Sequence, residues 1–382
     1  MNDTRKNYAS DEVVSRLNAA GPHLSSAKYV YYHDEAVDPF YAVLREANWI
    51  MDAIPGLLEI RGILVFAVVG GSNSPYQIAR VGDDEFVLLV DQRAFYYLLT
   101  ICLRIQSLSP LSKILHSDEK PNEKNYYGKF LLDITKDIVF HTDDIAPLLT
   151  GKVHRSIFQA AFTYIIGHEL AHVSHGHLEF LKSPAFSEFN SSEDDRNLTL
   201  RTLEMDADSS ATSSVFDVFE HVMRTRPPDL DGGAHDYVKL LRTHYVAGAF
   251  IALLYLDTLA SNYNPTRHPV GYARFLTTSG VFSRIFGTYC PDSIGIPEQV
   301  RAAIVETFVR LSGSLEGLCH PIASNVTLIE RGKEPIALYN EIGIAAGLEH
   351  LEPLHGRWAR IRPYLEAFHR GGRLAPASAT PL

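Results

Sequence analysis

Two histidines four residues apart, His168 and His172, flank Glu169 in the stretch GHELAHVSHGH. The His-Glu-x-x-His pattern constrains the fold more than any other feature of this 382-residue chain, because its chemistry needs a helix. On a helix, positions i and i+4 lie about 40° apart on one face, so two imidazoles can converge on one metal ion. Glu169 then points beside the ion. There a zinc ion would lower the pKa of a water molecule, and a carboxylate could take its proton.

The surrounding residues meet that demand. TYIIGHELAHV has helical apolar spacing and no proline, and Ala161, Ile165, His168 and His172 share one stripe at i, i+4, i+7 and i+11. The spacing predicts a helix over residues 152–175. His175 shares the face of His172, but three ligands on one straight helix converge poorly, so His175 is expected at the helix end or as a partner of a ligand. Gly176 suits a helix C-terminus, with His177 near its last carbonyls. A metzincin-like third histidine is missing, since His175 and Leu178 occupy the positions where glycine and histidine would stand.

A catalytic zinc takes three protein ligands and keeps one position open. The third is expected on the next helix, residues 198–223, where LEMDADSSA sets Glu204 and Asp208 one turn apart. Glu204 would bind the ion, and Asp208 would accept a hydrogen bond from the outer nitrogen of a ligand histidine, fixing its tautomer. The competing reading is a solvated acidic face near a helix start. Small residues at Ala207, Ser209, Ser210 and Ala211 favour close packing on the first helix instead.

Elsewhere, three apolar runs between residues 58 and 91 are separated by GGSNSP and Gly82-Asp83-Asp84, the pattern of a three-stranded meander. Residues 92–107 carry helical spacing, and residues 109–129 read as a surface loop. Residues 183–197, rich in Ser, Asn and acids, have the composition of a mobile connecting loop. A third helix is expected over residues 235–260, and the chain after Pro297 is mostly helical in pattern. The expected fold class is α+β, predominantly helical.

Composition removes several classes. A formal charge of −10 argues against a generic nucleic-acid binder, which needs a basic surface. Three scattered cysteines without a CxxC pair fit a reduced, cytoplasmic setting and exclude a disulfide framework. The leader MNDTRKNYASDEVV lacks the apolar core of a signal peptide. The longest apolar run, YVAGAFIALLYL, would span only about 18 Å as a helix against a hydrocarbon core of roughly 30 Å, so it reads as a buried helix. No membrane association is expected, and oligomeric state leaves no trace.

HELAHVSHGH followed by LEMDADSSA resembles the gluzincin pattern HExxH…E-x-x-A-D-x-x-A of HtpX and CAAX-prenyl-protease type metallopeptidases and of phage-exclusion peptidases of the Lit type. The segment RHPVGYARF is similar to a His-Pro…Arg segment that follows the glutamate helix in the former group. The resemblance implies zinc on His168, His172 and Glu204, with Glu169 as general base. It also implies His268 as a hydrogen-bond donor to the transition state and Arg274 as a partner of active-site carboxylates. HtpX and CAAX proteases are membrane-embedded, whereas this chain carries no transmembrane pair, so the Lit type is nearer in character.

The expected organisation is an N-terminal leader and helical segment (1–57), a zincin-like metallopeptidase domain (58–275), a C-terminal helical region (276–370) and a disordered tail (371–382). The expected function is a zinc-dependent endopeptidase cleaving an intracellular protein, with a strand of the meander aligning an extended peptide by edge pairing. The alternative is a catalytically silent zinc-binding regulatory or interaction module.

Overall fold

A computed structural model describes residues 28–29, 63–70, 76–80, 82, 85–91, 94, 98–99, 101–102, 110–115, 152–225, 234–260, 269, 271–312 and 336–376. Its strands are β1 (Lys28–Tyr29), β2 (Ile63–Gly70), β3 (Tyr76–Arg80) and β4 (Glu85–Asp91). Its helices are α1 (Leu111–Ile114), α2 (Lys152–Ser174), α3 (His177–Phe180), α4 (Glu193–Thr225), α5 (Ala234–Ala260), α6 (Gly271–Tyr289), α7 (Ile296–Ser312) and α8 (Ile336–Leu365). The fold is α+β and predominantly helical, as the sequence predicts.

Helix α2 is the axis of the molecule. Its apolar residues from Ile157 to Val173 are buried on every side, the mark of a helix enclosed by others rather than lying on a surface. It packs most extensively against α5 and α4, and its flank meets β3. Gly248 sets the approach of α5. A Cβ there would stand 2.4 Å from the Ile157 carbonyl oxygen and 2.6 Å from Ala160 Cβ, so only glycine lets the two backbones come this close. The apolar run of α5 is buried from Tyr245 to Tyr255, and no helix among the described residues is long and apolar enough to cross a membrane.

The sheet departs from the expected meander. Its order is β1-β2-β4-β3, with β2 parallel to β4 and β3 antiparallel to β4. A meander would put β3 in the centre, but β3 leaves Gln77, Ala79 and Arg80 half-exposed. The five residues Phe86–Val90 of β4 are all buried, so β4 takes an inner place beside β2, covered on both faces. Tyr76, Ile78, Phe86, Leu88 and Val90 join the core built on α2 and α5. Tyr76 and Tyr255 both donate hydrogen bonds to the Ala94 carbonyl, tying sheet and α5 together.

Two expected loops contain helix. Residues 110–115 form a buried turn in which Leu111 and Leu115 are fully enclosed, and His244 Nε2 donates to the Leu115 carbonyl. In the 183–197 segment, Pro184–Phe189 is a 3-10 helix and α4 begins at Glu193. Ser192 Oγ accepts from the Asp195 backbone N–H while the Asp195 carboxylate accepts from Ser191 N–H, a reciprocal N-terminal cap. Glu193, Asp194 and Asp195 occupy the first turn, where carboxylates favour the helix dipole. Arg357 pairs with Asp195, and the guanidinium groups of Arg357 and Arg360 both lie against the ring of buried Phe189. This segment is pinned down rather than mobile.

Helix α6 runs through residue 275, where the sequence places a domain boundary, and it contacts α4, α5, α7 and α8. Helix α8 builds a second apolar cluster with Phe180, Phe189, Leu203 and Met205 through Leu351, Leu354, Trp358, Ile361 and Leu365. Residues 371–376 continue along this cluster, with Leu374 and Ala375 packed on it and Ala375 O accepting from Arg362 Nε. Cys102 and Cys290 are free and buried. Cys319 and residues 1–27 lie outside the described residues.

Candidate metal centre

Periodicity on α2 and α4 brings three of the expected residues together. His168 Nε2 lies 3.1 Å from Glu204 Oε2, and His172 Nε2 lies 3.6 Å from Glu204 Oε1. The two imidazoles are 5.1 Å apart between ring centroids, at 80° to one another. His168, His172 and Glu204 form a group that could hold a metal ion. Glu169 follows His168 on the same helix, half-buried, and lies outside this convergent set. His268 lies outside the described residues.

Behind the triad stands a buried ion pair. His168 Nδ1 is 3.0 Å from Asp208 Oδ1, and Arg274 forks onto the same carboxylate through Nε (2.8 Å to Oδ2) and Nη2 (2.7 Å to Oδ1). Burial would raise the Asp208 carboxyl, but Arg274 and His168 override it and hold it below the usual carboxylate range. Burial likewise opposes the Arg274 charge, and Asp208 reverses that, driving its pKa up. His168 has carboxylates at both nitrogens. Burial would lower its imidazolium, but its hydrogen bonds to Asp208 and Glu204 prevail and raise it to about 10.

A second group escaped the sequence reading in part. His175 Nδ1 lies 2.5 Å and His177 Nε2 3.1 Å from a single oxygen, Asp206 Oδ2. The other nitrogen of His177, Nδ1, lies 3.0 Å from His172 Nδ1. Gly176 makes this possible. Its backbone is left-handed, at φ 76°, which ends α2 and turns the chain back so that His177 reaches a residue five places earlier. Phe368 from the segment after α8 sits against Gly176, and Arg370 N–H donates to the Ser174 carbonyl at 2.7 Å, satisfying the last turn of α2. Burial pushes the His177 imidazolium below its ordinary value, while His175 and His177 keep the Asp206 carboxyl low against its own burial.

The two groups differ in access and in spacing. The side chains of His172 and Glu204 are 15% and 18% exposed, whereas His175, His177 and Asp206 are at most 1% exposed, so only the first group opens to solvent. Ligands about 2.0–2.2 Å from a tetrahedral zinc stand about 3.3–3.6 Å from each other. Both groups could hold a metal ion; the first has separations of 3.1 and 3.6 Å, near that spacing, and the second is tighter, at 2.5 and 3.1 Å.

A helix bearing two imidazoles, faced by a helix bearing a carboxylate, defines a protein with a candidate metal site at the crossing of α2 and α4. Residues 144–284, the stretch that carries α2, α4, α5 and most of α6, match the family described as Peptidase U49, and this match supports a peptidase. No curated protein and no solved structure matches the chain.

Proposed function

We propose that the protein is a zinc-dependent endopeptidase acting on an intracellular protein, with His168, His172 and Glu204 as zinc ligands. The observation that carries the reading is the convergence of the two Nε2 atoms on the Glu204 carboxylate, at 3.1 and 3.6 Å, on a solvent-reachable face. The donor set of two imidazoles and one carboxylate suits zinc. The Peptidase U49 match over the same helices supports the hydrolytic part.

Zinc held there would supply Lewis acidity to a scissile carbonyl and acidity to water. The chain's own residues do the rest. Asp208 takes the Nδ1 proton of His168 in a hydrogen bond, so that Nε2 offers its lone pair, and Arg274 keeps Asp208 charged and aimed. Glu169 acts as general base, removing a proton from the attacking water and returning it to the leaving amine. Strand β3 lies at one edge of the sheet among the described residues and is the strand that meets α2. A peptide aligned along it would run beside the zinc helix.

The test is cleavage of unfolded casein by the purified chain loaded with one equivalent of zinc. Glu169→Gln is expected to retain zinc while losing about 10²–10⁴ in rate. A Glu169→Gln protein that cleaves at the parent rate, or a parent chain that takes up no zinc, overturns the reading.

A further inference from the structure

The hydrogen-bonding needs of the buried His175–His177–Asp206 group determine more than its own stability. Asp206 Oδ2 is an acceptor, so His177 Nε2, 3.1 Å away, carries the proton and donates. In a neutral imidazole the other nitrogen then bears a lone pair. His177 Nδ1 therefore accepts, and among the described residues the donor that faces it is His172 Nδ1 at 3.0 Å. With its proton on Nδ1, His172 is left with a lone pair on Nε2, the atom 3.6 Å from Glu204. His175 Nδ1 donates to the same Asp206 oxygen and keeps the carboxylate in place.

We infer that His177, anchored by Asp206, is a positioning residue that fixes the tautomer and ring orientation of His172, so that His172 presents Nε2 to the cation. This deepens the proposed function and rests on its metal triad. His168 receives the equivalent service from Asp208, a carboxylate on the facing helix. His172 has a neutral imidazole in that place, delivered from the start of α3 by the reversal at Gly176, with the carboxylate one step further away.

The group is not read as a second cation site. Its shortest separation, 2.5 Å between His175 Nδ1 and Asp206 Oδ2, leaves no seat for an ion between them, and all three residues are sealed from solvent. Partners of this kind, one bond removed from a metal, typically change affinity by 10–100-fold when lost.

The experiment titrates Co²⁺ into the full chain, following the visible d–d spectrum, with far-UV circular dichroism of the metal-free proteins as the folding control. The parent is expected to bind one equivalent. His177→Phe, which keeps a ring but offers no acceptor, is expected to weaken Co²⁺ by 10–100-fold and alter the band shape. His177→Asn, whose side-chain oxygen can stand where Nδ1 stood, is expected to recover most of that loss. If His177→Phe does not fold, Asp206→Leu read in the same way takes its place, with the same expected weakening.

A parent that binds no Co²⁺ removes the metal reading and this inference with it. A parent that binds one equivalent, with His177→Phe binding as tightly and with the same spectrum, removes the inference alone. Two equivalents in the parent, one of them lost in His177→Phe with the other unchanged, overturns it in favour of a second cation site.

Discussion

Arg274 holds Asp208 by two parallel hydrogen bonds, of 2.8 and 2.7 Å, in a site where both side chains are almost wholly enclosed. The pair joins α6 to α4, and through His168 it reaches α2, so three helices meet on one carboxylate. Removing one member leaves a buried charge without its counter-charge. Arg274→Met is expected to cost about 3–5 kcal/mol in urea unfolding, and Arg274→Lys less, because an ammonium keeps the counter-charge although it cannot fork. A loss under about 1 kcal/mol for Arg274→Met would show that the pair does not matter to the fold.

Glu204 is the carboxylate of the proposed triad, and its replacement separates metal binding from chemistry. Glu204→Gln is expected to weaken zinc by more than the 10–100-fold typical of partners standing behind a ligand, measured against a competing chelator. Glu169→Gln, on the same titration, should bind as the parent does. Equal affinities for parent and Glu204→Gln would mean that the carboxylate is not a ligand.

Gly248 and Gly176 are intolerant of a methyl group for different reasons. At Gly248 the added carbon runs into the backbone of α2, and Gly248→Ala should cost about 1–3 kcal/mol by overpacking. At Gly176 it meets Phe368 and imposes a left-handed backbone on alanine, about 1–2 kcal/mol before any clash is relieved. Only the second substitution should also weaken Co²⁺, because His177 rides on that turn. Thermal unfolding of the metal-free proteins and the Co²⁺ titration together tell the two apart.

His350 on α8 gives the fold an acid-sensitive element outside the triad. Burial, aided by the charge of Arg201, lowers its imidazolium to about 4. The unfolded chain binds the proton near pH 6.5 and the folded one only near 4, so this contribution is intact above about 6.5 and fades as pH falls toward 4. The slope is at most about 1.4 kcal/mol per pH unit. His350→Gln is expected to flatten the stability curve in that window. An unchanged slope would place the titration elsewhere.

The chemistry-bearing helices were legible because their signal is local. His168, His172, Glu204 and Asp208 each sit one turn from a partner, and helical spacing carries that information. Asp206 was not legible. It stands about 160° around α4 from Glu204, on a side that an isolated helix would give to solvent, and it is buried because α2, α6 and α8 surround that stretch. The His172–His177 contact crosses a left-handed turn, where the period of either helix stops applying. Strand order was lost for a similar reason, since the turn residues around 71–75 do not say which strand β4 will adjoin, and only burial of all of Phe86–Val90 does. The 183–197 segment misled by composition alone: Phe189 and the Ser192–Asp195 cap hold it, and one aromatic outweighs many polar neighbours.

The backbone donors of Arg370 and Gly371 that close on the Ser174 carbonyl come from almost two hundred residues downstream of the helix they finish. A ribosome delivers the histidine helix long before it delivers that clasp. On any nascent chain that stops short of residue 371, the Ser174 carbonyl lacks these donors, and on one that stops short of residue 368, Gly176 lacks Phe368 beneath it. The finished geometry at His172 and His177 therefore waits on residues almost two hundred places further along the polypeptide.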